Sequence, residues 1–442
     1  MFTSKKITTP LFKVCLPLLM LGLAACSKGG DSNPDPGPDP VAPAALLNAT
    51  HLESLMTNVT FDNGQVGTAV YIYADAPSYT PIGAVGEGFT CVDDVARALQ
   101  YYVRHADFAT SQAIQDKAYG LTRFVLNMQA PNGYFYNFVQ TGNAINKFGI
   151  TSINTAKWWS WRALQGLTEA APIIRTKNTS LAAEIDAVVN KLVAVIKTEL
   201  VNLPETTKLV EGVEVPEWLP EGADQGATML LGLIPYATAS GDAEIRTYIK
   251  KLADGIVRTQ LGGAAQFPYG VFLSSGNHWH AYGCDQAHAL FAAAKFLNDA
   301  SYSDKAKIEV DQFYSWIISS GFKSSFDVRI TNNVPAGYNQ TPYEQIAYGV
   351  RPMVFAALDA YELTKDEQYA DKAGRLASWF FGNNSASAQM YSRSNGRCFD
   401  AINTGNAVNR NSGAESTIEA LLALQRISTH ATVIAAMDKY SK

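Results

Sequence analysis

The sequence predicts an all-α fold, an (α/α)6 toroid in which six helical hairpins form two concentric rings. A step from a polar or acidic residue into an Ala/Leu-rich helix recurs about every 60 to 70 residues. Each step opens a helix that is apolar nearly all round, and an amphipathic helix follows it. The first kind must be covered on every side and the second lines the outside, so two rings are expected. The six steps are Asp93-Asp94, Asn154-Thr155, Asp224-Gln225, Asp285-Gln286, Glu344-Gln345 and Glu415-Ser416.

The elements follow in order from the hydrophobic periodicity. Residues 44–60 predict a lead-in helix, and residues 69–73 are typical of a β-strand. The helical pairs, with the inner helix first, are expected at 93–105 and 113–129, 155–171 and 181–201, 224–239 and 244–260, 285–298 and 304–319, 344–363 and 367–381, and 415–427 and 430–440. These helices define a domain over residues 44–442.

The amino terminus has the pattern of a bacterial lipoprotein signal, predicted over residues 1–26. Three lysines precede a short apolar run at 14–22, and Leu23-Ala24-Ala25-Cys26 then matches the acylation motif. An ordinary secretory signal with an incidental cysteine is the alternative. Residues 27–43 alternate Pro with Gly, Ser and Asp, which predicts a disordered linker. We therefore expect an exported protein, lipid-anchored through Cys26 to the bacterial cell envelope, on the periplasmic or the surface face of the outer membrane.

Composition excludes some partners. The net charge is −5 and no Lys/Arg stripe is present to neutralise phosphates, so we expect no nucleic acid. After Cys15 and Cys26 are set aside, Cys91, Cys284 and Cys398 remain; without a CxxC spacing we expect buried small residues and neither a metal nor another cofactor. We also expect a monomer.

The connections between hairpins indicate where function lies. Inner-to-outer connections are short, whereas outer-to-inner ones are long and rich in Gly and aromatic residues. In a toroid the six inner helices run parallel, so their amino termini and the long loops gather on one face. The acidic residues that open the helices should therefore surround one concave site.

Two carboxyl groups, one protonated and one ionised, are what glycoside hydrolysis needs. We predict Asp94 as the acid, because the adjacent Asp93 raises its pKa, and Glu415 or Asp285 as the base. The first and sixth hairpins are neighbours in a closed ring, which places Glu415 near Asp94. The alternative is that Asp224 or Asp285 merely caps its helix.

The loops and first turns supply candidate sugar-binding groups, because aromatic rings stack on sugars and polar groups bind hydroxyls. Arg97 could also be a structural partner of the acids, and His278 with His280 could bind a metal. The predicted binding residues are Asp93, Arg97, Tyr136, Trp218, Asp224, His278, Trp279, His280, Tyr338, Tyr343 and Glu344.

The stretch Cys91-Val92-Asp93-Asp94-Val95-Ala96-Arg97-Ala98-Leu99 resembles the C-T-D-D-N-A-R-A-L signature of a bacterial six-hairpin, glycosidase-like family whose domains occur alone or fused to sugar transferases. Residues 133–138, Gly-Tyr-Phe-Tyr-Asn-Phe, are similar to that family's G-R-F-H-N-F loop; Arg162-Ala163-Leu164 and Ala414-Glu415-Ser416 also match in order. The resemblance implies the toroid fold and activity on glycans. Most members of the wider superfamily are inverting hydrolases, and lyases, phosphorylases and epimerases occur among them.

These observations predict a carbohydrate-active enzyme, an inverting glycoside hydrolase acting on a poly- or oligosaccharide at a carboxylate-lined cleft. Two alternatives stay open. A polysaccharide lyase would use a Tyr or His base such as Tyr338 or His280, and a non-catalytic glycan-binding lipoprotein would keep the aromatic residues without needing the acids.

Overall fold

The computed structural model describes residues 45–442. The predicted signal over 1–26, its Cys26 and the linker over 27–43 lie outside the described residues. Within 45–442 the chain forms fourteen α-helices and fifteen short strands. None of these helices is both long and apolar enough to cross a bilayer.

The helices follow the predicted alternation of inner and outer members. They are Thr50–Ser54 (α1), Val92–Val103 (α2), Gln112–Asn127 (α3), Trp158–Arg175 (α4), Thr179–Glu199 (α5), Ala223–Ser240 (α6), Ala243–Arg258 (α7), Gln286–Leu297 (α8), Ala300–Ile308 (α9), Tyr314–Ser319 (α10), Ala347–Thr364 (α11), Glu367–Ala377 (α12), Ala414–Ile427 (α13) and Ala431–Tyr440 (α14). A π-helical turn, Glu309–Phe313, joins α9 to α10, and 3₁₀ turns lie at Ser378–Phe380 and Thr404–Asn406.

Six helices close an inner ring. Helix α2 packs on α4, α4 on α6, α6 on α8, α8 on α11, α11 on α13, and α13 returns to α2. Each packs against its own outer partner, and one continuous apolar core runs through both rings. The predicted (α/α)6 toroid is confirmed.

Glycines allow the inner helices to approach closely. A Cβ on Gly166 of α4 would lie 2.9 Å from the Ala96 carbonyl oxygen of α2. A Cβ on Gly232 of α6 would lie 2.7 Å from the Leu164 side chain of α4. These distances are shorter than van der Waals contact, so the ring can be this tight here only because no side chain is present.

Short antiparallel strands occupy the connections between the helices. They are Met56–Thr60 (β1), Val66–Val70 (β2), Tyr73–Asp75 (β3), Thr80–Ile82 (β4), Thr90–Cys91 (β5), Phe138–Val139 (β6), Thr207–Val210 (β7), Val213–Pro216 (β8), Gln260–Gly263 (β9), Gln266–Phe272 (β10), His278–His280 (β11), Ser325–Thr331 (β12), Val334–Thr341 (β13), Ala401–Asn403 (β14) and Ala407–Asn409 (β15). They pair as six two-stranded ribbons, and β11, β12 and β13 form a three-stranded sheet.

Two boundary predictions were wrong. The expected lead-in helix shrinks to the five residues of α1, because Met56–Thr60 pairs with Val66–Val70 as a β-ribbon. Inner helix α11 begins at Ala347, so Glu344 stands in the preceding loop and not in a first helical turn. In both places pairing with another segment overrides the local periodicity. At the start of α11 that pairing is the bridge between Gln345 and Ile402.

A buried acid in the fourth hairpin gives the first testable prediction. Glu309 lies in the π turn and is buried. Burial raises its pKa to about 8, although its carboxyl group accepts bonds from the Phe272 amide (3.0 Å) and the Tyr314 hydroxyl (3.5 Å). A raised carboxyl pKa stabilises the fold fully below the unfolded value, and the contribution is lost as pH rises toward the folded value.

Glu309→Gln should therefore have nearly wild-type stability at pH 4.5 and exceed it by more than about 1 kcal/mol at pH 8, since glutamine accepts the same bonds without ionising. Urea unfolding at the two pH values measures the difference. Glu205→Gln, an exposed position, is the control and should show no such trend. An equal effect of Glu309→Gln at both pH values would contradict the prediction.

Candidate active site

The amino-terminal turns of the inner helices meet around Arg97. This guanidinium, from the second turn of α2, contacts carboxyl groups of both α2 and α13. Nη2 lies 2.8 Å from Asp94 Oδ1 and 3.2 Å from Glu415 Oε2, and Nη1 lies 2.8 Å from Glu419 Oε1. Nε lies 3.5 Å from Asp93 Oδ1. Residues more than 300 positions apart in sequence are thus joined, as parallel inner helices in a closed ring require.

The loop over residues 133–138 holds the first turn of α2 in place. The Asn137 carbonyl accepts the Val92 amide at 2.8 Å, and Asn137 Oδ1 accepts the Asp93 amide at 3.3 Å. Cys91 is the N-cap of the helix, with its sulfur accepting the Asp94 amide. These contacts satisfy helix-start N–H groups that would otherwise lack partners.

Asp94 is the less accessible member of the acidic pair, with 6% of its side chain exposed. Oδ1 accepts from Arg97, and Oδ2 accepts the Cys91 thiol at 3.3 Å. Burial raises the pKa of Asp94 to about 6; Arg97 opposes this shift and Asp93 adds to it. Both oxygens of this carboxyl group are therefore engaged by protein atoms.

Glu415 differs because 44% of its side chain is exposed to solvent. It opens α13, and protein atoms still enclose it within the ring of helix starts. This desolvation raises the pKa of Glu415 to about 7, Arg97 opposes the shift, and Asp94 adds to it. Glu415 is thus a carboxyl group that holds its proton close to neutrality and can still reach a ligand.

Asp93 lies between two guanidinium groups. Its Oδ1 is 3.5 Å from Arg97 Nε and 3.4 Å from Arg162 Nε of α4, and no contact of that oxygen has hydrogen-bond geometry. The side chain is 23% exposed. Oδ1 itself is buried, so the exposed part of the side chain lies on its other atoms, and the hydrogen-bonding capacity of Oδ1 is not filled by the two guanidiniums.

Asp285, predicted as a possible base, lies beneath the site and not in it. It is completely buried, and Arg351 of α11 binds it through two bonds of 2.6 and 3.1 Å. Burial would raise the pKa of Asp285, but Arg351 and Arg162 outweigh it and hold the pKa below its usual value. The prediction of a catalytic role was wrong, because no substrate atom can reach this carboxylate.

Arg351 joins two buried carboxylates, since its Nε also lies 2.6 Å from Glu419 Oε2. Arg351→Met should lower the free energy of unfolding by about 3 to 5 kcal/mol, because Asp285 and Glu419 lose a buried partner. Urea unfolding at pH 7 measures this. Arg393→Met is the control; it removes a partly exposed pair with Asp438 and should cost less than about 1 kcal/mol. A similar small cost at both positions would contradict the prediction.

Two tyrosines that the sequence analysis did not single out complete the site. Tyr348, in the first turn of α11, accepts a hydrogen bond from Arg162 at its hydroxyl oxygen, and the Arg97 guanidinium carbon lies 4.8 Å from its ring centroid. Burial raises the pKa of Tyr348. Tyr73 of β3 is partly exposed; burial raises its pKa, and Glu87, Asp94 and Glu415 raise it further. Both hydroxyls are therefore held protonated. A Tyr or Arg on an otherwise apolar inner helix is the sequence signal that could have identified Tyr348 and Arg351.

Two predicted sugar platforms are core residues. Trp218 is 1% exposed and donates its indole N–H to the Lys251 carbonyl at 3.1 Å. Trp279 is completely buried and stacks on Phe326 with ring centroids 5.0 Å apart. Neither ring can contact a ligand, so these predictions were wrong. Both side chains are buried because the loops pack their apolar residues against the outer helices.

The hydrogen bonds and ring contacts of the remaining predicted loop residues are to residues outside the Arg97 carboxyl cluster. The Tyr338 hydroxyl accepts from Asn277 at 3.0 Å, and Arg329 covers its ring; the Tyr343 hydroxyl donates to Asn406 at 2.7 Å. His278 Nδ1 lies 2.7 Å from Asp327 in the three-stranded sheet. Tyr136 is partly buried against the core, and Glu344 is exposed in its loop.

Asp224 and His280 form a separate buried pair. Asp224 Oδ2 lies 3.0 Å from His280 Nε2, Asp224 Oδ1 accepts the Gln225 amide at 2.7 Å, and His280 Nδ1 donates to the Tyr282 carbonyl at 2.8 Å. Within residues 45–442 no group of three or more His, Cys, Asp or Glu residues is arranged to hold a metal ion. Cys91, Cys284 and Cys398 are buried free thiols, as predicted for small buried residues.

A cavity at the other end of the ring contains none of these groups. Its volume is about 1100 Å³, and the carboxy-terminal parts of α4, α6 and α8 line it with α5. Its acidic residue, Asp186, is paired with Arg175 on the surface. The carboxyl groups with raised pKa, Asp94 and Glu415, are therefore at the amino-terminal face and not in this cavity.

Comparison with known proteins rests on structure. No protein-family model and no curated protein matches the sequence. Among solved structures, a cellobiose 2-epimerase from Bacillus thermoamylovorans is 13% identical, with a TM-score of 0.56 over 86% of this chain and 95% of that one. A D-mannose isomerase is 14% identical, with a TM-score of 0.57 over 86% and 95%.

A glycoside hydrolase family 76 mannosidase from Bacteroides thetaiotaomicron is 11% identical, with a TM-score of 0.53 over 88% of this chain and 98% of that one. At such identities the similarity establishes architecture. The chain has the (α/α)6-toroid fold that these enzymes share.

Proposed function

We propose that this chain is a carbohydrate-active enzyme, an inverting glycoside hydrolase in which Glu415 is the proton donor and Asp93 is the base. The observation that carries the proposal is the cluster around Arg97: Glu415 is solvent-accessible with its pKa raised to about 7, and Asp93 lies beside it between two guanidiniums. The solved structures described above support activity on sugars, since they are a cellobiose 2-epimerase, a D-mannose isomerase and a mannosidase.

The proposed reaction proceeds in one displacement. Asp93 takes a proton from a water molecule while the oxygen of that water attacks the anomeric carbon. Glu415 gives its proton to the glycosidic oxygen as the bond from that oxygen to the anomeric carbon breaks. Arg97 contacts both carboxyl groups at different nitrogens, and the proposed inversion requires these two groups to leave room between them for the attacking water.

Sequence reasoning favoured Asp94 as the acid, and the geometry favours Glu415. Asp94 has both oxygens engaged, whereas a general acid must reach the leaving oxygen. We assign Asp94 the role of a positioning residue that orients Arg97 and, through its charge, helps Glu415 to retain its proton.

A sugar epimerase or isomerase is the second candidate, because two of the solved structures are a cellobiose 2-epimerase and a D-mannose isomerase. Such an enzyme must remove a proton from carbon. His280 is a poor candidate base for that step, because it is buried and both ring nitrogens face protein acceptors. The lyase is disfavoured similarly, since Tyr338 is bound to Asn277 and covered by Arg329.

One experiment separates these functions. The purified domain is incubated with a panel of mannans, glucans, arabinans and their disaccharides, and new reducing ends, ultraviolet absorbance and the proton NMR spectrum are recorded. The proposal expects new reducing ends whose first anomer is inverted, without an absorbing double bond. A changed reducing-end sugar without chain cleavage would establish the epimerase or isomerase, and absence of any change would favour a glycan-binding protein.

We also propose that the protein is anchored to the bacterial envelope through a lipid on Cys26, as the motif at residues 23–26 indicates. Cys26→Ser should release the protein from the membrane fraction into the soluble fraction of cells, because the acylated thiol is lost. Fractionation followed by immunoblotting measures this, with Cys15→Ser as the control. Membrane retention of both variants would contradict it.

A further inference from the structure

One exposed aromatic ring near the carboxyl cluster is held in a fixed orientation. Tyr282 lies in the loop between β11 and α8, and 45% of the residue is exposed. One face of its ring stacks on His280, with centroids 3.6 Å apart and planes 10° from parallel. The exposed surface of a ring covered on one face is available to a flat ligand.

The supporting histidine is itself fixed from both sides. His280 Nδ1 faces the Tyr282 carbonyl at 2.8 Å, and Nε2 faces Asp224 Oδ2 at 3.0 Å. Both partners are acceptors, and the other Asp224 oxygen accepts the Gln225 amide. Contacts at both nitrogens fix the orientation of the imidazole ring, and the ring stacks on Tyr282 as a rigid support.

The loop cannot easily move. At Gly283, which has φ of +62°, an added Cβ would lie 2.7 Å from the Tyr348 hydroxyl oxygen and 2.8 Å from Trp158. The chain beside Tyr282 is thus packed directly onto the aromatic residues of α4 and α11. A binding surface that is ordered before the ligand arrives loses little conformational entropy on binding.

A series of ring contacts links Tyr282 to the acids. The Tyr282 centroid lies 6.4 Å from that of Tyr348, whose ring in turn lies 4.8 Å from the Arg97 guanidinium carbon. Arg97 contacts Asp93 and Glu415. One aromatic ring, that of Tyr348, therefore separates Tyr282 from Arg97 and the residues of the proposed reaction.

We propose that Tyr282 is the stacking platform of a sugar-binding subsite beside the bond that is cleaved, and that His280 with Asp224 positions it. The inference rests on the proposed function. A pyranose presents a flat face of C–H groups, and an aromatic ring offers such a face both area and a negative π surface. The subsite therefore takes a neutral pyranose unit of an oligosaccharide.

The test compares two replacements at the same position. Tyr282→Phe keeps the ring, and Tyr282→Leu keeps apolar volume without a flat face. Binding of mannobiose, mannotriose, cellobiose and cellotriose is measured by calorimetry, and kcat and KM are measured on the polysaccharide that the wild type cleaves. We expect Tyr282→Phe to be within about twofold of wild type, and Tyr282→Leu to weaken binding and raise KM about tenfold with little change in kcat.

A wild-type KM for Tyr282→Leu, with its melting temperature retained, would overturn the platform and leave the proposed hydrolase intact, because cleavage would continue. An equal loss in kcat for both variants would also overturn it, since a platform acts on binding. If the wild type neither binds nor converts any saccharide, the hydrolase and the platform both fail. His280→Gln keeps a bond to Asp224 but removes the stacked ring, and should raise KM in the same direction as Tyr282→Leu.

Discussion

Replacing Glu415 with glutamine is expected to lower kcat/KM about a thousandfold while the fold stays intact. Glutamine cannot give a proton to the leaving oxygen, and general acid catalysis contributes about 10² to 10⁴ in rate. Because the side chain is 44% exposed, the substitution leaves no cavity in the core. Steady-state kinetics on the cleaved polysaccharide and a thermal melt measure both parts of the prediction.

The pH profile gives this prediction a second readout. Enclosure within the ring of helix starts raises the pKa of Glu415 to about 7, and the donor must be protonated to act. Wild-type kcat/KM should therefore fall tenfold per unit as pH rises above about 7. Residual activity of Glu415→Gln should lack this limb. An unchanged limb in the variant would show that another group is the proton donor.

Asp93→Asn should also lower kcat/KM by about a thousandfold, because an amide cannot take a proton from the attacking water. Asparagine keeps the size of the side chain but not the charge that faces Arg97 and Arg162. Sodium azide offers a sharp readout, since azide is an anionic nucleophile that can attack the anomeric carbon in place of water without a base to remove a proton. Partial rescue as a glycosyl azide of inverted configuration, detected by mass spectrometry and NMR, is the expected outcome.

The matched control is Asp94→Asn, one position along the same helix turn. If Asp94 orients Arg97 and does not contact the substrate, Asp94→Asn should lower kcat/KM about ten- to a hundredfold, which is less than the loss at either catalytic position. A larger loss for Asp94→Asn than for Asp93→Asn or Glu415→Gln would restore the assignment predicted from sequence, with Asp94 as the acid.

The fold was accessible from sequence because it repeats. The step into each inner helix is local, and alternation between all-round apolar and amphipathic helices leaves few ways to bury every apolar face. A closed ring then requires that the first and sixth hairpins touch. Hence Glu415 could be placed beside Asp94 from sequence, although Arg97 joins carboxyl groups as distant in the chain as Asp93 and Glu419, which are 326 positions apart.

Sequence patterns failed where the decision depends on which side of a loop faces the core. Trp218 and Trp279 have the composition of sugar platforms, yet both pack inside. Tyr282, three residues after Trp279, was not among the predicted residues. From sequence alone, an aromatic residue in a loop can be buried in the core or exposed at a binding site, and its neighbours in the folded structure determine which occurs.

What the sequence determined by itself is the ring and the set of acids at its amino-terminal face, because periodicity and helix-start chemistry are properties of neighbouring residues. What only the tertiary structure decided is the role of each acid. Asp285 and Glu415 are both acidic residues at the predicted start of an inner helix. Asp285, however, is buried and bound by Arg351, whereas the Glu415 side chain is exposed to solvent. Accessibility and pKa depend on partners contributed by other hairpins, so a carboxyl group becomes a proton donor, a support or a capping residue only once the ring has closed.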